Sequence, residues 1–227
     1  MIGQCAGARL PVPLFETAFA LARLLEERGE RNRCEIMIAG NETLDEMFGG
    51  VPVSAALSGA LESQRIEFVS DFDIKQITPN SLIAADGRTL DSNLRMVIPP
   101  FRGPGAVLGL GITDQEDYIR VDRHLRVSGA EGVYAAGDCV SFRGPKMGHM
   151  AGRQAEVAAN NLFAEIEGRA PAALYDHELM LVIDSSANDS IFVHKDLWTD
   201  EPAELQQNRF WGWAKQKQEM YWKAKHA

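Results

Sequence analysis

Positive charge is in short supply: 23 Lys and Arg face 32 Asp and Glu, a net charge of −9. Nucleic acids are held through their phosphates and need a basic surface, so nucleic acid is excluded as the main partner. Cysteine is rarer still, with Cys5, Cys34 and Cys139 the whole set. An odd, sparse set makes no disulfide framework and points to a reducing compartment, the cytoplasm. No apolar run reaches the roughly 18–20 residues that a membrane-spanning helix needs. The opening residues lack the basic stretch and apolar core of a secretory signal. His124, His177, His194 and His226 are scattered without ligand spacing, so no metal site is expected. What remains is an ordinary globular composition, 45 % apolar and 24 % charged over 227 residues. That length suits one large domain or two small ones.

The pattern along the chain is α/β. Ile2 to Ala8 reads as a strand entering a tight turn, so the chain is expected to begin inside a β-turn-α unit whose upstream part is missing. Pro13 to Arg28 reads as a helix, with Leu14, Ala18, Leu21 and Leu25 at helical spacing and Gly29 as the stop. Cys34 to Ala39 is a strand-length apolar run, which places Cys34 in the core. Val53 to Ser63 is a second helix and Arg65 to Ser70 an alternating strand, an order that implies parallel neighbours. Asp73 to Thr78, Ser81 to Ala85 and Arg95 to Ile98 read as a β-meander, with Asn80 and Asp86-Gly87 as turns. Pro99 and Pro100 end it, and Gly103 to Gly111 is a glycine-rich crossing.

Tyr118 to Val121 and Leu125 to Val127 are strand-like. Gly132 to Gly137 reads as a buried strand ending in small residues. A helix over 150–167 carries Ala151, Ala155, Ala158, Leu162 and Ile166 as its apolar stripe. Leu179 to Ile183 and Ile191 to His194 pair as a hairpin through the loop 185–189. The last 25 residues read as one aromatic-rich helix.

The most specific segment is Gly132 to Cys139, Gly-Val-Tyr-Ala-Ala-Gly-Asp-Cys. It resembles the second flavin fingerprint of the two-dinucleotide-binding-domain flavoproteins, where the aspartate holds the FAD ribityl chain. Small residues allow a close backbone approach, and a fixed carboxylate at a strand end accepts a hydrogen bond from a polyol. Pro145 to Met150, Pro-Lys-Met-Gly-His-Met, resembles the loop of sulfide:quinone oxidoreductases and of the flavocytochrome c sulfide dehydrogenase flavoprotein subunit. Both fall within the FAD-dependent pyridine nucleotide-disulfide oxidoreductase superfamily. The 96–103 and 118–127 stretches resemble the same family.

The resemblance implies a partial three-layer, two-dinucleotide-binding-domain flavoprotein with a β-meander and a C-terminal hairpin plus helix. It divides the chain into a second dinucleotide-type domain (1–98), the C-terminal portion of an FAD domain (99–168) and the hairpin with its helix (169–227). Gly137, Asp138, Lys146, Met147, Gly148 and His149 would hold FAD, with Lys146 as a cation near the flavin and His149 acting through its backbone N–H. Cys5 falls at the redox-cysteine position, and its place in a Gly/Ala turn before a helix is expected to favour the thiolate.

Two departures qualify the resemblance. The family's opening Gly-x-Gly-x-x-Gly, which binds the ADP half of FAD, is absent. The sulfide-oxidising relatives carry a second redox cysteine that 174–181 lacks.

The implied function is two-electron transfer through flavin to a quinone or other small acceptor. A type II NADH dehydrogenase-like flavoenzyme is one alternative, and a non-catalytic fragment or subunit completed by a separate ADP-binding half is another. The helix near the C-terminus holds Phe210, Trp211, Trp213, Tyr221 and Trp222 among basic residues. It leaves open a membrane surface, a second copy or a separate half as partner, with a site peripheral to the inner membrane.

Overall fold

The computed structural model describes residues 1–186 and 189–226. The chain forms two compact units, one of Met1–Pro100, Met180–Lys195 and Glu201–Ala227, the other of Phe101–Leu179 and Asp196–Asp200.

The first unit is built on a parallel sheet. β1 (Ile2–Gln4), α1 (Pro11–Glu27), β2 (Ile36–Ala39), α2 (Leu44–Met47), α3 (Ser54–Ser63) and β3 (Ile66–Val69) follow in order. The sheet order is β3-β2-β1-β7, with β7 at Met96–Ile98. Ile2 stands beside Ile38 on one side and Met96 on the other, all parallel.

α1 starts on a proline, whose fixed φ suits the first helical turn. It buries Leu14, Phe15, Ala18, Phe19 and Ala22, a stripe at helical spacing, against the sheet. Gly29, at φ +69, ends it.

Between β3 and β7 lies the meander, β4 (Ile74–Ile77), β5 (Ser81–Ala84) and β6 (Thr89–Asp91). Phe72, Ile74, Leu82 and Ala84 form its buried face with Ala39. A Cβ on Gly3 would sit 2.9 Å from Ile74 Cδ1, so a side chain there would make the tip of Ile74 shift.

Two expectations change around the parallel sheet. The 95–98 strand is not a meander strand; it returns to the parallel sheet beside β1, and Thr89–Asp91 completes the meander instead. Cys34 is exposed rather than core, because β2 begins only at Ile36 and Cys34 closes the short 3-10 turn Arg31–Arg33. Arg31 holds that turn. Its guanidinium, 5 % exposed, donates to the Gln64 carbonyl at 2.7 Å, the Arg65 carbonyl at 2.6 Å and the Cys34 carbonyl. The α2 turn carries a capping box between Thr43 and Glu46, a signal in the sequence that the hydrophobic pattern alone does not show.

The hairpin forms as β8 (Glu178–Ser186) and β9 (Asp189–Asp196); Ala187 and Asn188 of its expected loop lie outside the described residues. The last 25 residues are not a single helix. β10 (Glu204–Gln207) joins the hairpin as a third strand, and α5 (Arg209–His226) follows. Trp211 stacks on Phe192 at 3.8 Å between ring centres, which docks α5 on the sheet. Lys215 pairs with Glu16 and lies 3.4 Å from Asp184 Oδ2. Phe210, Trp213, Met220 and Tyr221 remain exposed, with Lys217 5.8 Å from the Trp213 ring centre.

The second unit has few regular elements besides α4 (Gly148–Ile166). The 118–127 stretches form isolated bridges, Ile119 with Val140 and Val121 with Val127. Asp122 accepts from the His124 and Arg126 amides and turns Leu125, at φ +63, into the core with Ala158 and Tyr175.

The 132–137 segment is not a buried strand. Its bridge is Tyr134 with Arg126, Val133 is 44 % exposed, and no strand lies along its other edge among the described residues. α4 also turns a different face inward. Met150, Gln154, Ala158, Asn161 and Ala164 are buried, while Leu162, Phe163 and Ile166 are exposed. The polar pair goes in because it satisfies backbone groups that no ladder serves: Asn161 donates to the His124 and Ala173 carbonyls and accepts from the Ala173 amide.

Replacing Arg31 with leucine leaves the Cys34, Gln64 and Arg65 carbonyls without its guanidinium donors. The expected loss is about 3 kcal/mol, read as a lower urea midpoint with an unchanged slope.

Candidate functional site

Gly137 sits at φ +90, a conformation that disfavours a side chain, and its carbonyl accepts from the Val140 amide at 3.2 Å. The resulting turn presents Asp138 exposed to solvent. The turn is tied to α4. The Gly137 amide donates to Gln154 Oε1 at 2.7 Å, and a Cβ on Gly137 would lie 3.6 Å from Ala151 Cβ. The first two turns of α4 therefore lie against the Gly-Asp turn. Sequence positions 137–138 and 148–151 come together.

The N-terminus of α4 has no side-chain cap. Met147, its N-cap residue, is extended at φ −140, ψ 145, and no acidic residue occupies the first turn. Nothing lies within 4 Å of a Cβ placed on Gly148. Such an end offers backbone N–H groups and the positive pole of a 19-residue helix to an anion or carbonyl.

Lys146 differs from its expected role. It is 6 % exposed, and its ammonium points into its own loop, donating to the Val140 carbonyl at 2.5 Å and the Phe142 carbonyl at 3.2 Å, 4.5 Å from the Tyr118 ring centre. Its positive charge is thus spent on shaping the loop that leads into α4. His149 packs its ring rather than presenting it: its Nε2 is buried without a partner among the described residues. Burial holds the imidazole below its ordinary value, and it is neutral at pH 7.

Cys5 lies in the other unit, after β1, with its amide on the Ile98 carbonyl at 3.0 Å. Contrary to the expected thiolate, burial against the meander face and the Asp73 carboxylate push its pKa up, so it carries its proton at neutral pH. The turn geometry gives no compensating cation except Lys75, which is itself 2.9 Å from Asp73. Cys139 is half-buried and also raised by burial, its Sγ 3.2 Å from the Ala136 carbonyl.

The carboxyl edge of the parallel sheet carries a second feature. The chain leaves β1 for β2 on one side and places β7 on the other, so β1 and β7 flank a topological switch point. There Gln4, 3 % exposed, has a buried Oε1 without a partner among the described residues, as does Asn41 Oδ1 just past β2. Sequence reading missed both, together with Gln154, Tyr175 and His177 of the second unit. Only Gln154 left a trace, as a polar residue interrupting an alanine-rich helical face.

FAD can be tested against the second unit. The glycine turn without a Cβ, the exposed carboxylate beside it, the open space before Gly148 and the uncapped helix all fit the polyol and ring end of a flavin.

The chain is similar to known proteins in sequence and in fold. A family model described as pyridine nucleotide-disulphide oxidoreductase matches residues 15–155. Ferroptosis suppressor protein 1 of Homo sapiens is 36 % identical over 73 residues, 32 % of this chain and 20 % of that protein. The protein of the same name from Xenopus laevis is 35 % identical over 77 residues, 34 % and 21 % of the two chains. The match thus spans about a fifth of the length of these curated relatives. Among solved structures, the sulfide:quinone oxidoreductase of Aquifex aeolicus aligns with a TM-score of 0.86 at 20 % identity, over 97 % of this chain and 56 % of that one. A NAD-dependent persulfide reductase of A. fulgidus aligns with a TM-score of 0.59 at 17 % identity, over 85 % and 35 %. These two likenesses establish the fold.

Two outcomes follow from the titrating groups. With iodoacetamide at pH 7, exposed Cys34 is alkylated first; Cys5 and Cys139 react slowly and accelerate only above the ordinary thiol value of about 8.5, as peptide mass mapping will show. His149 and His177 are both held below the ordinary histidine value by burial. The unfolded chain then binds more protons than the folded one below about pH 6.5, so stability falls as the pH drops through that value. Melting temperatures between pH 5 and 8 check the sign.

Proposed function

The chain belongs to the pyridine nucleotide-disulphide oxidoreductase family, and on that footing we propose that it forms the flavin-ring end of an FAD-dependent oxidoreductase that passes two electrons to a quinone or similar small acceptor. The observation that carries the reading is the Gly137–Asp138 turn fastened through Gln154 to the uncapped start of α4. FAD, when bound, supplies a reversible two-electron carrier. Asp138 accepts a hydrogen bond from the ribityl chain. The amides of Met147, Gly148 and His149, with the α4 dipole behind them, favour negative charge at the ring edge. Lys146 contributes by fixing the loop that presents those amides.

For the electron donor, two readings rest on different residues. A sulfur donor would use Cys5 as the relay, which requires a step that removes its proton. A reduced nucleotide would use the β1/β7 switch point, where the buried Gln4 and Asn41 oxygens await donors such as ribose hydroxyls. The name of the Aquifex aeolicus protein supports a quinone acceptor. The exposed face of α5, with Phe210, Trp213, Tyr221 and Lys217, suits a peripheral membrane site where quinones dissolve. No helix among the described residues is long and apolar enough to cross a membrane. The exposed Leu162, Phe163 and Ile166 of α4 favour completion of the site by a separate ADP-binding half or a second copy.

The test is a visible absorption spectrum of the purified chain incubated with FAD. A flavin spectrum at near one equivalent, lost in Asp138→Ala, is expected, and anaerobic bleaching by sulfide or by NADH then decides the donor. A chain that stays colourless, alone and in the presence of the separate half of a relative, overturns the reading.

A further inference from the structure

Three hydrogen bonds and one side-chain contact run in series through the second unit. The Gly137 amide donates to Gln154 Oε1 at 2.7 Å. The Gln154 side chain, anchored there, reaches the Tyr175 hydroxyl. Tyr175 Oη lies 3.1 Å from His177 Nδ1, and His177 Nε2 lies 2.6 Å from the Arg143 carbonyl. A carbonyl only accepts, so Nε2 carries the hydrogen. Nδ1 then accepts, and the Tyr175 hydroxyl must donate to it. Tyr175 thus donates to His177 and His177 to the Arg143 carbonyl in one direction, the arrangement in which hydrogen bonds reinforce one another.

The members are deeply buried, Tyr175 at 1 %, His177 at 3 % and Gln154 at 4 % exposure. Phe142 stacks on Tyr175 at 5.3 Å between ring centres, and Trp198 closes the cluster edge-on to Tyr175 at 5.7 Å. The two ends of the chain are the two pieces of the candidate flavin site: the Gly137–Asp138 turn and the loop that runs through Arg143 and Lys146 into α4.

We propose that Gln154, Tyr175 and His177 are positioning residues that set the spacing between the Gly-Asp turn and the Met147–His149 amides. The proposal rests on the flavin reading above and deepens it. The relay has one direction because His177 is neutral. Protonation would put a hydrogen on Nδ1 facing the Tyr175 hydroxyl and leave that hydroxyl without its acceptor. The charged and titratable groups facing the ring are Lys146 of the loop, Asp196 at the end of β9, and Tyr175, with the Arg143 backbone carbonyl on Nε2. Glu178, next along the chain, is paired with Arg153 of α4. Burial and Lys146 keep the imidazole uncharged, against the pull of Asp196 and the Arg143 carbonyl.

The experiment is amide hydrogen exchange by mass spectrometry on the full chain, with FAD affinity measured on the same variants. His177→Phe keeps the ring volume and removes both bonds; His177→Gln keeps one N–H and one acceptor. In His177→Phe, exchange over 137–140 and 143–151 is expected to rise about tenfold, the worth of one buried hydrogen bond, while β2 and β3 are unchanged. His177→Gln restores it, and FAD affinity follows the same order. In the wild type the 137–140 segment loosens as the pH falls below the ordinary histidine value of about 6.5, and in His177→Gln it loosens less.

Unchanged exchange in His177→Phe, failure of His177→Gln to rescue, or loosening of the whole unit alike would each overturn the relay. Local loosening with FAD affinity unchanged would overturn its positioning role. A wild-type chain that takes up no FAD defeats the flavin reading, and the exchange data still decide the relay.

Discussion

The amide of Gly137 has its hydrogen-bond acceptor on a helix, at Gln154, and not on a neighbouring strand. The same holds at several points of the second unit. Its segments meet in isolated bridges, so some backbone polar groups that a ladder would satisfy depend on side chains reaching in. Asn161 serves His124 and Ala173, Asp122 serves the turn around Leu125, and Lys146 serves Val140 and Phe142. The burial of polar residues on α4 and the exposure of its leucine, phenylalanine and isoleucine are two sides of that one constraint.

The same constraint shapes the chemistry. A buried ammonium or imidazole costs free energy unless its bonds are made. Lys146 and His177 have theirs made by carbonyls of one short loop, 140–143, so the loop and the side chains hold each other. The start of α4 is left uncapped at the end of that loop. A rigid approach to an unsatisfied helix terminus is what an anion- or carbonyl-binding site requires. The first unit solves its own problem by regular means, with parallel strands, an apolar helix stripe and an antiparallel meander packed over Gly3.

Much of the first unit was legible because its signals are local. The apolar spacing of α1, the strand lengths of β2 and β3, and the turns at Asn80 and Asp86-Gly87 each follow from neighbours in sequence. The errors came where pairing partners decide. Met96–Ile98 has the same composition whether it extends a meander or returns to β1. Cys34 looks like strand until the Arg31 turn takes its carbonyl. The 132–137 residues are apolar enough for a buried strand, yet burial needs strands on both edges.

For the candidate site, the residue types in Gly137-Asp138 and Met147-Gly148 were readable, since glycine, aspartate and a helix start have intrinsic conformational and hydrogen-bonding preferences. The sequence by itself determined the α/β class, the parallel opening, the family resemblance and the positions of the glycine turn and helix start. The tertiary structure decided which face of α4 turns inward, that Lys146 points into its own loop, that Cys5 keeps its proton, and that Gln154, Tyr175 and His177 join into one chain. Those outcomes depend on burial and on which polar group finds which partner across dozens of residues, and neither quantity is a property of any short stretch of sequence.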